Sequence, residues 1–308
     1  METPLEKSVL VTLLLPGALA VIMLGLGLSL TLDDFRRVAK VPRAVVVAMV
    51  CQCVLLPVGC WLIVHGFHLQ GALAVGLMLL SASPGGASAN LFSHLAGGDV
   101  ALNITLTAVN SVLSFFTLPI IVGLSLSAFM AEDRTVDIGF TKVVQVFATV
   151  LVPVAIGMFV RSKREAFAKK LDRPVRIFSF GFLVLGIIGA VVKERTRLPG
   201  YFEQIGGAAL AFNLLSLAVG YFVPRLFRID RRQSVAIGME IGVHNGMLAI
   251  AVASSPLMLN NAQMAVPAAI YSVIMFFTAS AFGWAMSRVD LGEPEPDDGA
   301  AEPRASEG

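Results

Sequence analysis

GMEIGVHNGMLA, residues 238–249, lies inside an apolar run, about 234–255, that is long enough to cross a membrane. It carries a carboxylate, an imidazole, an amide and three glycines. Glycine weakens a helix interior by about 1 kcal/mol relative to Ala, and a charge at the centre of a membrane helix costs about 2.5–3.5 kcal/mol. A run that accepts all of these is expected to break. A second run, about 71–96, has the same character, with Ser83-Pro84-Gly85-Gly86 in its middle. Pro removes a helical hydrogen bond there and the glycines relax the backbone. Broken backbone at membrane depth is tolerated only where the freed groups are buried in protein or line a cavity.

The composition agrees with a membrane setting. Of 308 residues, 56% are hydrophobic and 14% charged, with a mean hydropathy of +0.80. Soluble domains carry about 25% charged residues, so this chain has too little charge to cover a water-facing surface. The expected class is an all-α polytopic membrane protein with nine transmembrane helices, at about 9–31, 44–65, 71–96, 100–127, 139–160, 175–192, 205–226, 234–255 and 264–287. Glu2, Glu6 and Lys7 precede the first run and no cleavage site follows it, so it reads as a helix rather than a signal peptide. Residues 1–287 are expected to form a single transmembrane domain, and the acidic, Pro- and Gly-rich residues 288–308 a disordered cytoplasmic tail.

Basic residues set the orientation. One side collects Arg36, Arg37, Lys40 and Arg43, then Arg161, Lys163, Arg164, Lys169, Lys170, Arg173 and Arg176, then Arg225, Arg228, Arg231 and Arg232. The opposite side holds Lys7, Arg134, Lys193, Arg195 and Arg197. The N-terminus is therefore expected outside and the C-terminus in the cytoplasm of a cell (inner or plasma) membrane. The broken runs are the third and eighth. That odd offset gives them opposite sense, the pointer to an inverted-repeat secondary transporter with its site at the midplane.

Glu240 is the one clear acid in the predicted interiors, and no basic residue shares its layer. It needs a bound cation or a proton. Asn103, Thr107, Asn110, Ser111 and Ser114 recur at spacings of three and four, on one helix face that offers oxygen ligands. Asn90 follows the first break and Gln52 interrupts the second run. Ser111 and Ser114 are expected to serve packing; Asn90, Asn103 and Thr107 the site. His244, four residues after Glu240, is read as a coupling or substrate residue. His65 and His68 are expected in a solvated loop, and His94 to pack. Cys51, Cys53 and Cys60 show no metal-ligand spacing and read as packing residues. A net charge of +2 argues against nucleic-acid partners. No zinc-protease motif, nucleotide-binding P-loop or nucleophile elbow supports an enzyme.

SPGGASANLFSHLAGGDVALNITLTAV (Ser83–Val109) and EIGVHNG (Glu240–Gly246), supported by LGLGLSLTLDDF (Leu24–Phe35), resemble the bile acid:sodium symporter family. The likeness extends over essentially all nine runs. It implies a core domain, about 44–127 and 205–287, whose broken helices cross at the midplane, beside a panel of helices about 9–31, 139–160 and 175–192. Some relatives have ten helices, and the resemblance implies that this chain lacks the first. Two sodium sites sharing Glu240 are implied. The first would use Asn90 and Thr107, with Ala89 and Asn103 standing where the family has serines. The second would use Gln52 and the carbonyls of Ile241 and Val243, with His244 replacing a glutamine and removing an amide oxygen, so a single sodium or proton coupling stands as an alternative. Asn245 resembles a substrate contact, with Ala87, Ser88 and His244 beside it.

The expected function is sodium-coupled symport of an organic anion, bile acid-like or a small carboxylate, by alternating access. Na+, the anion and the bilayer are the expected partners, with no obligate protein partner. A proton-coupled carrier, an exporter of the same fold and a non-transporting ligand sensor stand as alternatives.

Overall fold

The computed structural model describes residues 15–29, 36–130, 140–171, 198–255 and 258–288, with isolated positions in 31–33 and 174–181. The start of the first run, most of the run at 175–192, Lys7, Arg134, Arg173, Arg176, Lys193, Arg195, Arg197 and the tail beyond 288 lie outside the described residues.

Every regular element among the described residues is helical. They are α1 (Leu15–Ser29), α2 (Pro42–Gly66), α3 (Gly71–Ser81), α4 (Ala87–Leu95), α5 (Val100–Phe129), α6 (Phe140–Lys163), α7 (Leu198–Leu226), α8 (Arg231–Gly242), α9 (Gly246–Ser254) and α10 (Val266–Ser287). A short 3-10 turn, Ala262–Ala265, leads into α10. Pro42–Gly66, Pro199–Leu226 and Ala262–Ser287 are each long and apolar enough to cross a membrane, and the bent α5 adds a fourth if taken as one span.

The third and eighth runs break as their sequences require, between α3 and α4 and between α8 and α9. Four details differ from the sequence reading. Gln52 does not interrupt α2. It sits in a π-turn, Cys51–Leu55, that widens the helix without ending it. α7 starts at Leu198 rather than near 205, because Pro199 falls in the first turn, where its missing N–H costs nothing. Gly238 stays helical, so the second break is confined to Val243–Asn245. Finally, α5 bends by 52° between Ser114 and Phe116, four residues before Pro119, whose ring removes the bond to that carbonyl.

The turns joining α2 to α3 and α7 to α8 match bond for bond. Phe67 N–H donates to Ile63 O and Leu69 N–H to Val64 O; Phe227 N–H donates to Val223 O and Ile229 N–H to Pro224 O. Both turns hold a non-glycine residue in the left-handed region, His68 at φ 53° and Arg228 at φ 57°.

Packing falls into two groups. α7 lies along α8 and α10, and α3 packs on α5, while α1 packs chiefly on α6. The last pair touches backbone to backbone. A Cβ on Gly27 would collide with the Val154 carbonyl, and one on Gly157 with Leu24 O. Gly27→Leu is therefore expected to destabilise the purified protein by about 1–3 kcal/mol, read as a lower melting temperature in detergent. Gly17→Leu, whose new Cβ meets nothing within 4 Å, should leave it unchanged.

Candidate cation site at the helix crossing

The two breaks meet. Gly85 and His244 pair as an isolated antiparallel bridge, and Asn245 N–H donates to Pro84 O at 2.8 Å. Glu240, in the last turn of α8, is fully buried there. Its carboxylate accepts from Gly85 N–H at 3.2 Å and from the Thr107 hydroxyl at 2.6 Å. The short second bond is typical of a charge-assisted O–H donor.

Thr107 belongs to a ladder. Asp99 N–H donates to Arg232 O at 3.1 Å, Asn103 Nδ2 to Ala236 O at 2.8 Å, and Thr107 Oγ1 to Glu240. The partners advance together by four residues, so α5 and α8 run parallel with one polar rung per turn. Asn110 continues that face, buried one turn beyond Thr107 on the side of Glu240. Ser111 and Ser114 bond carbonyls of their own helix, Thr107 O at 2.6 Å and Ser111 O at 2.7 Å, so they serve α5 itself and not the site.

Gln52 reaches the first break from α2. Its Nε2 donates to Ser81 O and Ser83 O, both at 3.1 Å. His244 converges on the same place, its Nδ1 donating to Ser83 O at 2.9 Å. The imidazole stacks on Phe212 at 5.5 Å and tilts against Tyr271 at 5.5 Å, and its Nε2 has no partner.

Asn245 caps α9, its Oδ1 accepting from Leu248 N–H at 3.0 Å. Both Nδ2 protons remain to meet a ligand, at the positive end of a half-helix, besides the second lone pair of Oδ1. Ser88 and Asn245 face each other across Gly86, each 3.7 Å from where a Gly86 Cβ would lie. Ala87 begins α4, but its side chain is outside the described ones.

Several oxygens are left over. Gln52 Oε1, Asn90 Oδ1 and Asn103 Oδ1 are buried and accept no hydrogen bond. An unmet buried polar group costs about 1–3 kcal/mol, and amide oxygens of this kind suit a hard cation. Asn103 lies one rung from Glu240 on the ladder and Gln52 reaches the first break, while Asn90 stands on α4 just after it. No cluster of three or more His, Cys, Asp or Glu exists among the described residues, so a transition-metal site is not formed there. An open cleft of about 410 Å³ beside the end of α6 shares no residue with the crossing, and its Arg36 already pairs with Asp33 at 3.0 Å. His65, His68 and His94 are exposed; His65 closes α2 against Trp61 rather than lying in a loop.

Asn213 and Tyr271, which no motif in the sequence marks, hold the end of α8 from α7 and α10, and Thr278 supports Asn213. Asn213 Nδ2 and Tyr271 Oη both donate to Gly242 O, at 2.9 and 2.8 Å. A single amide in the run 205–226 was the available signal.

The sequence pattern of the sodium bile acid symporter family matches residues 16–198, a span that contains Gln52, Asn90, Asn103 and Thr107. A Bacillus subtilis (strain 168) protein named uncharacterized sodium-dependent transporter YocS is 29% identical over 260 residues, covering 83% of this chain and 77% of its own length. The human P3 protein is 28% identical over 226 residues, 73% of this chain and 47% of its own, so this chain spans about half the length of that relative. The Arabidopsis thaliana chloroplastic BASS1, named a probable sodium/metabolite cotransporter, is 26% identical over 255 residues, 83% of this chain and 62% of its own.

Proposed function

This chain belongs to the sodium bile acid symporter family, a family of transporters and not of enzymes, and on that premise we propose that it is a secondary carrier coupling sodium to uptake of an organic anion. The observation that carries the proposal is the donor set at the crossing. Among the described residues Glu240 bonds only neutral groups, and the amide oxygens of Gln52, Asn90 and Asn103 are buried with nothing to accept from. Sodium would bind Glu240, Asn90, Asn103 and Thr107, and a second ion would call on Gln52, the carbonyls of Ile241 and Val243, and His244. Neutralising the carboxylate tightens the crossing. An anion then meets Asn245 Nδ2, Ser88 and Ala87 at the starts of α4 and α9, where free N–H groups favour negative charge, and the His244 Nε2 lone pair beside them would accept from a hydroxyl or protonated group of the substrate.

The packing of α1 chiefly against α6 supports a panel beside a core of α2–α5 and α7–α10, and the matched turns at His68 and Arg228 support an inverted repeat within nine spans. Alternating access would rock the core against the panel, in a plasma or inner membrane with the N-terminus outside.

One observation favours a second reading with a single sodium, or a proton in its place. His244 spends its Nδ1 proton on Ser83 O and offers only a nitrogen lone pair, a poor sodium ligand.

A melting-temperature screen of organic anions with sodium or choline chloride, followed by uptake of the best ligand into proteoliposomes, tests the proposal. Concentrative uptake is expected with an inward sodium gradient. Uptake unchanged when choline replaces sodium at fixed pH would refute sodium coupling, and uptake driven by a pH step without sodium would favour the second reading.

A further inference from the structure

The end of α8 is held by more donors than a helix end requires. A helix leaves its last four carbonyls without intrahelical partners. At Gly242 one such carbonyl takes two bonds, from Asn213 Nδ2 on α7 and Tyr271 Oη on α10. The other end of the same peptide unit is also engaged, since Val243 N–H donates to Met239 O at 3.0 Å. The 242–243 peptide is planar, so bonding both its carbonyl and its N–H fixes its orientation. The Ile241 and Val243 carbonyls belong to the peptide units on either side, so a fixed plane between them restricts the torsions that direct both.

The bracket is itself braced. The Thr278 hydroxyl donates to Asn213 Oδ1, which turns Asn213 Nδ2 toward Gly242. The flipped amide would set oxygen against oxygen. Tyr271 and Thr278 are seven residues apart on α10 and so share a face. A Cβ on Gly242 would collide with Leu217, one turn beyond Asn213, so glycine lets α7 come close enough for the amide to reach. The first break has an analogous holder in Gln52, which bonds Ser81 O and Ser83 O from α2.

We infer that Asn213, Tyr271 and Thr278 are positioning residues for cation binding: they pin the 242–243 peptide so that the backbone oxygens of the second break are aimed before the ion arrives. None of the three need touch the ion. The inference rests on the proposed sodium site and adds a device to it that lies in α7 and α10.

The test uses the purified full chain and sodium alone, so it needs no substrate. Melting temperature is followed against sodium chloride, with choline chloride holding ionic strength constant. Losing one neutral hydrogen bond from a preorganised ligand is worth a few-fold in affinity. Tyr271→Phe and Thr278→Val should each raise the half-saturating sodium concentration about 3- to 10-fold, and Asn213→Ala at least as much. Thr278→Ser, which keeps the hydroxyl, should match the parent chain. A purely structural role would lower the sodium-free melting temperature and leave the half-saturating concentration in place; that outcome in Tyr271→Phe and Thr278→Val overturns the inference. If Asn213→Ala fails to fold, those two conservative variants still decide it. Absence of any sodium response in the parent chain overturns the sodium site instead, so the two failures are distinguishable.

Discussion

Glu240→Gln is expected to leave the protein folded and to abolish its response to sodium. The amide fits the same space and the surrounding bonds can rearrange around it. Its oxygen can still accept from Gly85 N–H, its NH2 can donate to the Thr107 oxygen, and the Thr107 proton can fall back on Asn103 O, already 3.0 Å away. What disappears is the charge. Removing one partner of a buried ionic contact costs about 3–5 kcal/mol, so the half-saturating sodium concentration should rise at least about 100-fold. The midpoint is read from melting temperature against sodium at constant ionic strength. A variant that keeps the parent midpoint would remove Glu240 from the site.

Gly85→Ala should damage the same site without replacing a ligand. The added Cβ would land on the Glu240 carboxyl carbon and both its oxygens. The carboxylate cannot yield without giving up Gly85 N–H or Thr107. Overpacking of this kind costs about 1–3 kcal/mol. Sodium stabilisation should weaken by about 10-fold or more, alongside a lower melting temperature. Gly86→Ala is the control: its φ of −113° suits any residue, and its Cβ would meet Asn245 and Ser88 at an ordinary 3.7 Å. A Gly85→Ala chain with an unchanged sodium midpoint would show that the crossing tolerates a displaced carboxylate.

Much of this site could be read from residue types. Pro84, Gly85 and Gly86 announce a break because each removes a local reason to stay helical. Glu240 announces a partner because an acid in an apolar run must have one. Asn103 and Thr107 could be put on one face from their spacing alone, and the structure sets both against α8. Other features depend on contacts that spacing cannot report. Gln52 looks like an interruption, but a π-turn absorbs it and aims it at the first break. Asn245 invites assignment to substrate, yet its oxygen already caps α9, so the side chain serves the helix as well as any ligand. Asn213 and Tyr271 lie 29 residues to either side of the carbonyl they hold. In the sequence each is one polar group in an apolar helix, with the look of a packing residue.

The Glu240 carboxylate, bonded only to neutral groups, has an electrical consequence. When ionised, it carries its charge wherever the site moves. Shifting one elementary charge through the transmembrane field changes the energy by about 2.3 kcal/mol per 100 mV. In the proposed cycle a bound monovalent cation cancels that charge, so voltage acts little on the cation-loaded site. It acts on the empty one, and an interior-negative voltage pushes the bare carboxylate outward, resetting the carrier for the next ion.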